Sequence, residues 1–266
     1  MSGENEARAR PGFGRPVASG SQTTSAAYYG PGGSKSLSGI ALRAFCLGGA
    51  LAVSAVSCAA VLLLTSSPLW RLPFFGACLA AFHFLEFWTT ARYNHAAASV
   101  DSFLLTANWP AYAVAHASAA LECLVVGALF PSRSWILFLP HALGPLLLLA
   151  GLLLVAAGQA VRSAAMAQAG PSFNHIVQHA RAPQHQLVTT GIYATFRHPS
   201  YFGFFYWALG TQLVLGNVVC FFVYAAVLWK FFSSRIRGEE AALVRMFGDE
   251  YVAFRKAVGT KIPFIP

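Results

Sequence analysis

The stretch PSYFGFFYWALGTQLVLGNVVCFFVYAAVLW, residues 199–229, runs for 31 positions without a charged side chain. A membrane-crossing helix needs about 20 apolar residues, because it rises about 1.5 Å per residue across about 30 Å of hydrocarbon. The stretch is too long for one ordinary crossing and short for two. Gly216-Asn217, near its middle, is a turn signal. The reading is a tight hairpin of two short helices, the second running on past Lys230.

Four further apolar runs precede it. Ile40–Thr65 holds one charge, Arg43; Leu72–Ala91 carries His83 and Glu86; Ala107–Phe130 carries His116 and Glu122; Trp135–Val161 has none. Pro140 and Gly144-Pro145 mark either a bend in the fourth run or its true start. After the hairpin, Leu243, Phe247, Tyr251, Phe254 and Val258 recur at helical spacing. That predicts an amphipathic helix from about Glu239 to Val258, interrupted by Gly248, with its apolar face on the membrane region or in the interface. The expected fold class is all-α: a polytopic integral membrane protein of about six transmembrane helices, with a C-terminal helical hairpin and amphipathic helix.

Positive charge tests the hairpin. With six crossings, sixteen Lys and Arg fall on one side and only Arg71 and Arg133 on the other; a single crossing by 199–229 would split them nine and nine. The positive-inside rule prefers the uneven count, which turns both termini and the 162–198 loop to the cytosol. The +9 balance, 18 Lys and Arg against 9 Asp and Glu, thus reports orientation in a lipid bilayer and not nucleic-acid binding.

Composition agrees. Hydrophobic residues make up 56% and charged ones 10%, with mean hydropathy +0.56; a soluble domain carries roughly 25% charge. Disordered chains and coiled coils are excluded on the same ground. Residues 1–38, rich in Gly, Ser, Pro and Ala, read as a disordered tail without a cleaved signal peptide. Residues 39–161 read as a four-helix transmembrane region, and 162–266 as the region carrying the chemistry. Five cysteines with no C-x-x-C point to neither a disulfide scaffold nor zinc.

Polar residues concentrate after position 162. Phe173-Asn174-His175, then Gln178, come first. His185-Gln186-Leu187-Val188 follows, leading to Gly191 and Tyr193. Arg197-His198-Pro199-Ser200-Tyr201 begins the hairpin, and Arg235 to Glu240 follows its second helix out. The hairpin brings the last two segments to one membrane face. Arg235 and Glu239, four apart, share a helix side. They read either as a carboxylate clamp with an acidic partner for an ammonium, or as a snorkelling Arg paired to its neighbour. Arg197–Tyr201 is equally readable as an interfacial helix start with Pro199 in its first turn and an aromatic anchor. His175 and His179 have metal spacing, but no H-E-x-x-H pattern or third ligand accompanies them, so no metal is expected. Glu86 and Glu122 default to a functional hypothesis as intramembrane acids. With His83 and His116 nearby, structural polar contacts are the preferred reading. No dinucleotide fingerprint, phosphate loop or nucleophile elbow occurs.

Taken in order, Phe173-Asn174-His175, Leu187-Val188-x-x-Gly191-x-Tyr193, Arg197-His198-Pro199-Ser200-Tyr201-x-Gly203, Gly210-Thr211-Gln212, Arg235-x-x-x-Glu239-Glu240 and Phe247-Gly248-x-x-Tyr251 form one pattern. From about Ile40 to the end, the chain resembles the isoprenylcysteine carboxyl methyltransferase family. One departure is Val218 after Asn217, where the family often has Pro.

The resemblance implies methylation of the C-terminal carboxylate of prenylated cysteine, with S-adenosylmethionine as cofactor. It implies that Gln178, His185, Gln186, Leu187, Val188, Tyr193, His198, Pro199, Ser200, Tyr201 and Glu239 line that cofactor. Arg235 would hold the substrate carboxylate as the catalytic and substrate-binding residue, with Arg197 as a second candidate. It further implies partner proteins ending in farnesyl- or geranylgeranyl-cysteine, a lipid tail entering from the bilayer between helices, and an endoplasmic reticulum membrane with the site open to the cytosol. Three rival readings remain: a membrane phospholipid amine methyltransferase, a sterol-type membrane reductase using NADPH, and a transporter or scaffold. The last is weakened by the lack of an internal repeat and by polar residues crowding one face.

Overall fold

The computed structural model describes residues 28–130, 143–178 and 185–266. Most of the expected N-terminal tail, the start of the fourth expected run and His179 lie outside these residues. Among the described residues, seven α-helices follow one another. They are α1 (Leu37–Leu64), α2 (Arg71–Tyr93), α3 (Ala111–Leu129), α4 (Leu143–Ala169), α5 (Pro199–Leu215), α6 (Val219–Phe247) and α7 (Asp249–Ala257). Five helical segments are long and apolar enough to cross a bilayer; α5, at 17 residues, is the short arm of the hairpin.

Helix α1 starts where Ser36 accepts a hydrogen bond from the Gly39 amide, the usual service of an N-cap serine. None of its residues is buried, and Leu63 and Leu64 are more than 80% exposed. Only hydrocarbon accounts for such a surface. The packed core lies instead among α2, α5 and α6, around Phe82, Phe205, Trp207, Phe232 and Ile236.

The hairpin turns where the sequence marks it. Gly216 closes α5 in the left-handed region, and the Asn217 amide returns to the Gln212 carbonyl. The Asn217 side chain donates to Gln212 Oε1 and to the Ala119 carbonyl, both at 2.9 Å. In the Gly210-Thr211-Gln212 signature, Gln212 bonds both to the Thr211 hydroxyl and to the turn. Glu122 sits on the start of α6, its carboxylate accepting from the amides of Val218, Val219 and Cys220 at 2.7–2.9 Å. The structural role expected of Glu122 holds, but its partners are backbone amides, not His116, which meets Tyr224. Val218 contributes an N–H that Pro would lack.

Helices α4 and α5 make the closest crossing. A Cβ on Gly158 would stand 2.6 Å from the Gly203 carbonyl oxygen, and one on Gly203 would stand 2.5 Å from that of Gly158. Gly151 and Gly210 repeat the contact two turns away. Small residues let helix backbones touch where lipid removes the hydrophobic drive for association.

Two expectations change. The fourth run was expected to end at Val161, with Arg162 in the loop. Helix α4 instead continues to Ala169 and buries Arg162, because Glu86 and Ser200 supply polar partners inside the bundle. The amphipathic segment is interrupted at Gly248, as expected, but does not begin as a separate helix at Glu239. Its first half is the end of α6, and the chain breaks at Gly248 (φ +56°) before α7.

Candidate active site

The hairpin returns the chain to the face it left, so α6 passes beside the start of α5. There Arg235 Nε donates to the Tyr201 hydroxyl at 2.8 Å, and that hydroxyl donates to Glu239 at 2.5 Å. Arg235 and Glu239 thus communicate through a tyrosine and not as a simple snorkelling pair. A second Arg235 nitrogen, Nη2, donates to the His175 carbonyl. Nη1 has no hydrogen-bond partner among the described residues. The Tyr201 ring lies between His198 and Phe232, stacked on both, and it faces the Arg235 guanidinium.

Arg197 is committed elsewhere. Its Nε donates to Glu240 at 2.6 Å, its Nη1 reaches the carbonyls of Arg255 and Val258, and its Nη2 bonds to Pro266. His198 also meets Glu240, at 3.2 Å. Only 5% of Arg197 is exposed. These bonds tie the C-terminal segment to the start of α5 and engage all three guanidinium nitrogens of Arg197, which also borders the site's cavity.

The loop between α4 and α5 closes the opposite wall. Gln168 accepts from the Ile192 amide at 2.9 Å and donates to the Thr190 carbonyl at 2.6 Å. Gly191 between them takes φ +57°, and a Cβ there would strike the Gln168 side chain. That turn aims Tyr193 at the Ala165 carbonyl. Burial drives the Tyr193 phenol well above its ordinary range, so it stays a neutral donor. Gln178 donates to the Ile176 carbonyl, and the Gln186 amide donates to Ser172.

These walls enclose a cavity of about 330 Å³. Its lining combines polar residues of the loop and hairpin ends with the aromatic residues Phe82, Tyr112, Phe204, Phe231 and Phe232.

A family description, isoprenylcysteine carboxyl methyltransferase, matches residues 149–245. The protein-S-isoprenylcysteine O-methyltransferase of Saccharomyces cerevisiae is 47% identical over 191 residues, 72% of this chain and 79% of the yeast protein. The Homo sapiens protein of the same name is 39% identical over 226 residues, 85% of this chain and 75% of the human one. A solved structure of a eukaryotic intramembrane Ras methyltransferase superposes with TM-score 0.75 at 36% identity, covering 85% of this chain and 77% of that one. This chain belongs to the isoprenylcysteine carboxyl methyltransferase family. It is a membrane enzyme of helical build, like its relatives.

In this methyltransferase, each residue expected to line the cofactor or to hold the substrate carboxylate borders this cavity. Gln178, His185, Gln186, Leu187 and Val188 come from the loop and Tyr193 from the turn; His198, Pro199, Ser200 and Tyr201 come from the start of α5, and Arg235 and Glu239 from α6. Arg162 was not anticipated as part of its wall, nor Glu86 as the buried partner behind Arg162. Glu86 stood out only as an intramembrane acid, and Arg162 only as one positive charge among eighteen. His175, with the spacing of a metal ligand, instead meets Glu86 through Nε2 at 2.9 Å.

Proposed function

We propose that this chain transfers a methyl group from S-adenosylmethionine to the α-carboxylate of a C-terminal prenylcysteine, with Arg235 holding the carboxylate and the residues around Tyr201 and Glu239 holding the cofactor. The observation that carries this reading is the Arg235–Tyr201–Glu239 arrangement in one cavity lined by both polar and aromatic residues.

The residues present suit the cofactor. Glu239 offers an anionic oxygen to an ammonium or to ribose hydroxyls. Gln178, His185 and His198 add polar groups, and Tyr201, Tyr193 and Phe232 offer ring faces. When bound, S-adenosylmethionine supplies a methyl carbon already activated by its sulfonium. The acceptor is equally prepared, since an α-carboxyl group with a pKa of about 3.5 is ionised at neutral pH. No base is required of the protein.

The work left to this chain is positioning and exclusion of water. The Arg235 fork is held by Tyr201 and His175, leaving Nη1 to orient a carboxylate. The aromatic wall of Phe82, Phe204, Phe231 and Phe232 offers an apolar lane for the prenyl tail. A tail already dissolved in lipid gains far less than the roughly 0.8 kcal/mol per CH₂ available from water, so the polar end must supply specificity. Farnesyl and geranylgeranyl cysteines are both acceptors of this class. The site opens to the cytosol in the endoplasmic reticulum membrane, in keeping with the charge count.

The test is transfer of labelled methyl from S-adenosylmethionine to N-acetyl-S-farnesylcysteine by the purified protein. Parallel reactions use a phospholipid amine as acceptor, or NADPH with a sterol. Label in the prenylcysteine ester alone supports the reading; label in lipid, or NADPH oxidation without methyl transfer, overturns it.

A further inference from the structure

Deep in α2, Glu86 is 1% exposed, and its carboxylate accepts three hydrogen bonds from two other elements. Arg162 of α4 donates through Nε at 2.5 Å and through Nη2 at 2.8 Å. His175, from the loop after α4, donates through Nε2 at 2.9 Å, since an ionised carboxylate can only accept.

Each partner leads on to a different part of the cavity. Arg162, with its guanidinium facing the rings of Phe82 and Phe204, donates Nη1 to the carbonyl and hydroxyl of Ser200. His175 turns its own carbonyl to Arg235. One residue therefore ties Glu86 by its side chain and Arg235 by its backbone. The loop is also pinned from the end of α2, where Asn94 donates to the Phe173 carbonyl at 3.0 Å.

An ion pair serving stability alone would be complete with Glu86 and Arg162. Burying such a pair is costly and often no better than apolar packing. The additional arm through His175 adds nothing to that pair's charge balance, but it sets the height of the carbonyl on which the Arg235 fork rests. We propose that Glu86 is a positioning residue for methyl transfer, acting through His175 to place Arg235 and through Arg162 to place Ser200. This rests on the reading that Arg235 holds the acceptor carboxylate.

The His175 arm can be cut without touching the buried pair. Initial rates of methyl transfer to N-acetyl-S-farnesylcysteine are measured with each substrate varied, for the full chain in lipid. His175→Ala is expected to raise the acceptor KM about fivefold to tenfold, with kcat changed less, because an orienting contact to the acceptor is lost. His175→Gln keeps an N–H of similar reach and should return to within about twofold of wild type. Glu86→Gln opposes donor to donor and should lose more. In that background, His175→Ala should add under about twofold, the non-additivity of residues acting in series.

A wild-type KM in His175→Ala, no recovery in His175→Gln, or multiplying effects of the two substitutions would overturn the proposal. If Glu86→Gln does not fold, the two His175 variants decide alone. A wild-type enzyme that methylates nothing prenylated sinks the proposed function instead, so the two failures are told apart.

Discussion

Tyr201 and Arg235 are joined by one 2.8 Å hydrogen bond from guanidinium Nε to phenol, and the same phenol donates onward to Glu239 at 2.5 Å. On the proposed assignment, the acceptor side and the cofactor side of the cavity share a single hydroxyl. Tyr201→Phe keeps the ring stacked on His198 and Phe232 and deletes only that oxygen. The fold should survive and kcat/KM should fall about tenfold or more, since hydrogen bonds to charged groups are worth about 1.5–3 kcal/mol each. Steady-state rates check this; an unchanged kcat/KM removes the shared hydroxyl from the mechanism.

Arg235 and Glu239 separate the two substrates. Arg235→Ala should raise the acceptor KM at least about tenfold, and Arg235→Lys should recover little, because an ammonium lacks the fork that meets Tyr201 and His175 together. Glu239→Ala should weaken S-adenosylmethionine binding, read by titration calorimetry, while leaving the acceptor KM nearer its original value. Full activity in both alanine variants refutes the assignment.

Arg197 should behave differently. It joins Glu240 to the carbonyls of Arg255 and Val258, so Arg197→Ala should release the C-terminal segment. Breaking one half of a buried ion pair costs about 3–5 kcal/mol. The expected result is a lowered thermal midpoint and new protease cleavage after residue 248. A raised acceptor KM with the segment still protected would instead make Arg197 the clamp.

The helix crossing is sensitive to one methyl group. Gly203→Ala drives its Cβ against the Gly158 carbonyl, where only 2.5 Å is available. Overpacking of this kind costs about 1–3 kcal/mol. Arg162 lies one turn from that contact, so activity should fall together with thermal stability. A variant as stable and active as wild type means that α4 and α5 part easily.

The cavity's residues were legible from sequence where short motifs carry them. Tyr193 follows a glycine that its turn requires, and Pro199 to Tyr201 open a helix whose first turn a proline suits. Glu86 and Arg162 were not legible, because the pair closes across 76 positions and nothing in either neighbourhood names the other. The periodicity from Leu243 to Val258 was legible as helical, and its break at Gly248 as an interruption; that its first half continues the hairpin's second helix was not.

Sequence alone determined the all-helical membrane build and the reversal at Gly216-Asn217. Those follow from local requirements: each crossing must span the hydrocarbon with predominantly apolar residues and few charges, and a turn must interrupt a run too long for one crossing. Only the tertiary structure showed that Arg197 is bonded to Glu240 and the C-terminal segment, that Arg235 is bonded to Tyr201 and His175, and that a buried glutamate joins Arg162 to His175. Such partnerships depend on how closely α4 and α5 approach through their glycines, and distance along the chain carries no record of that approach.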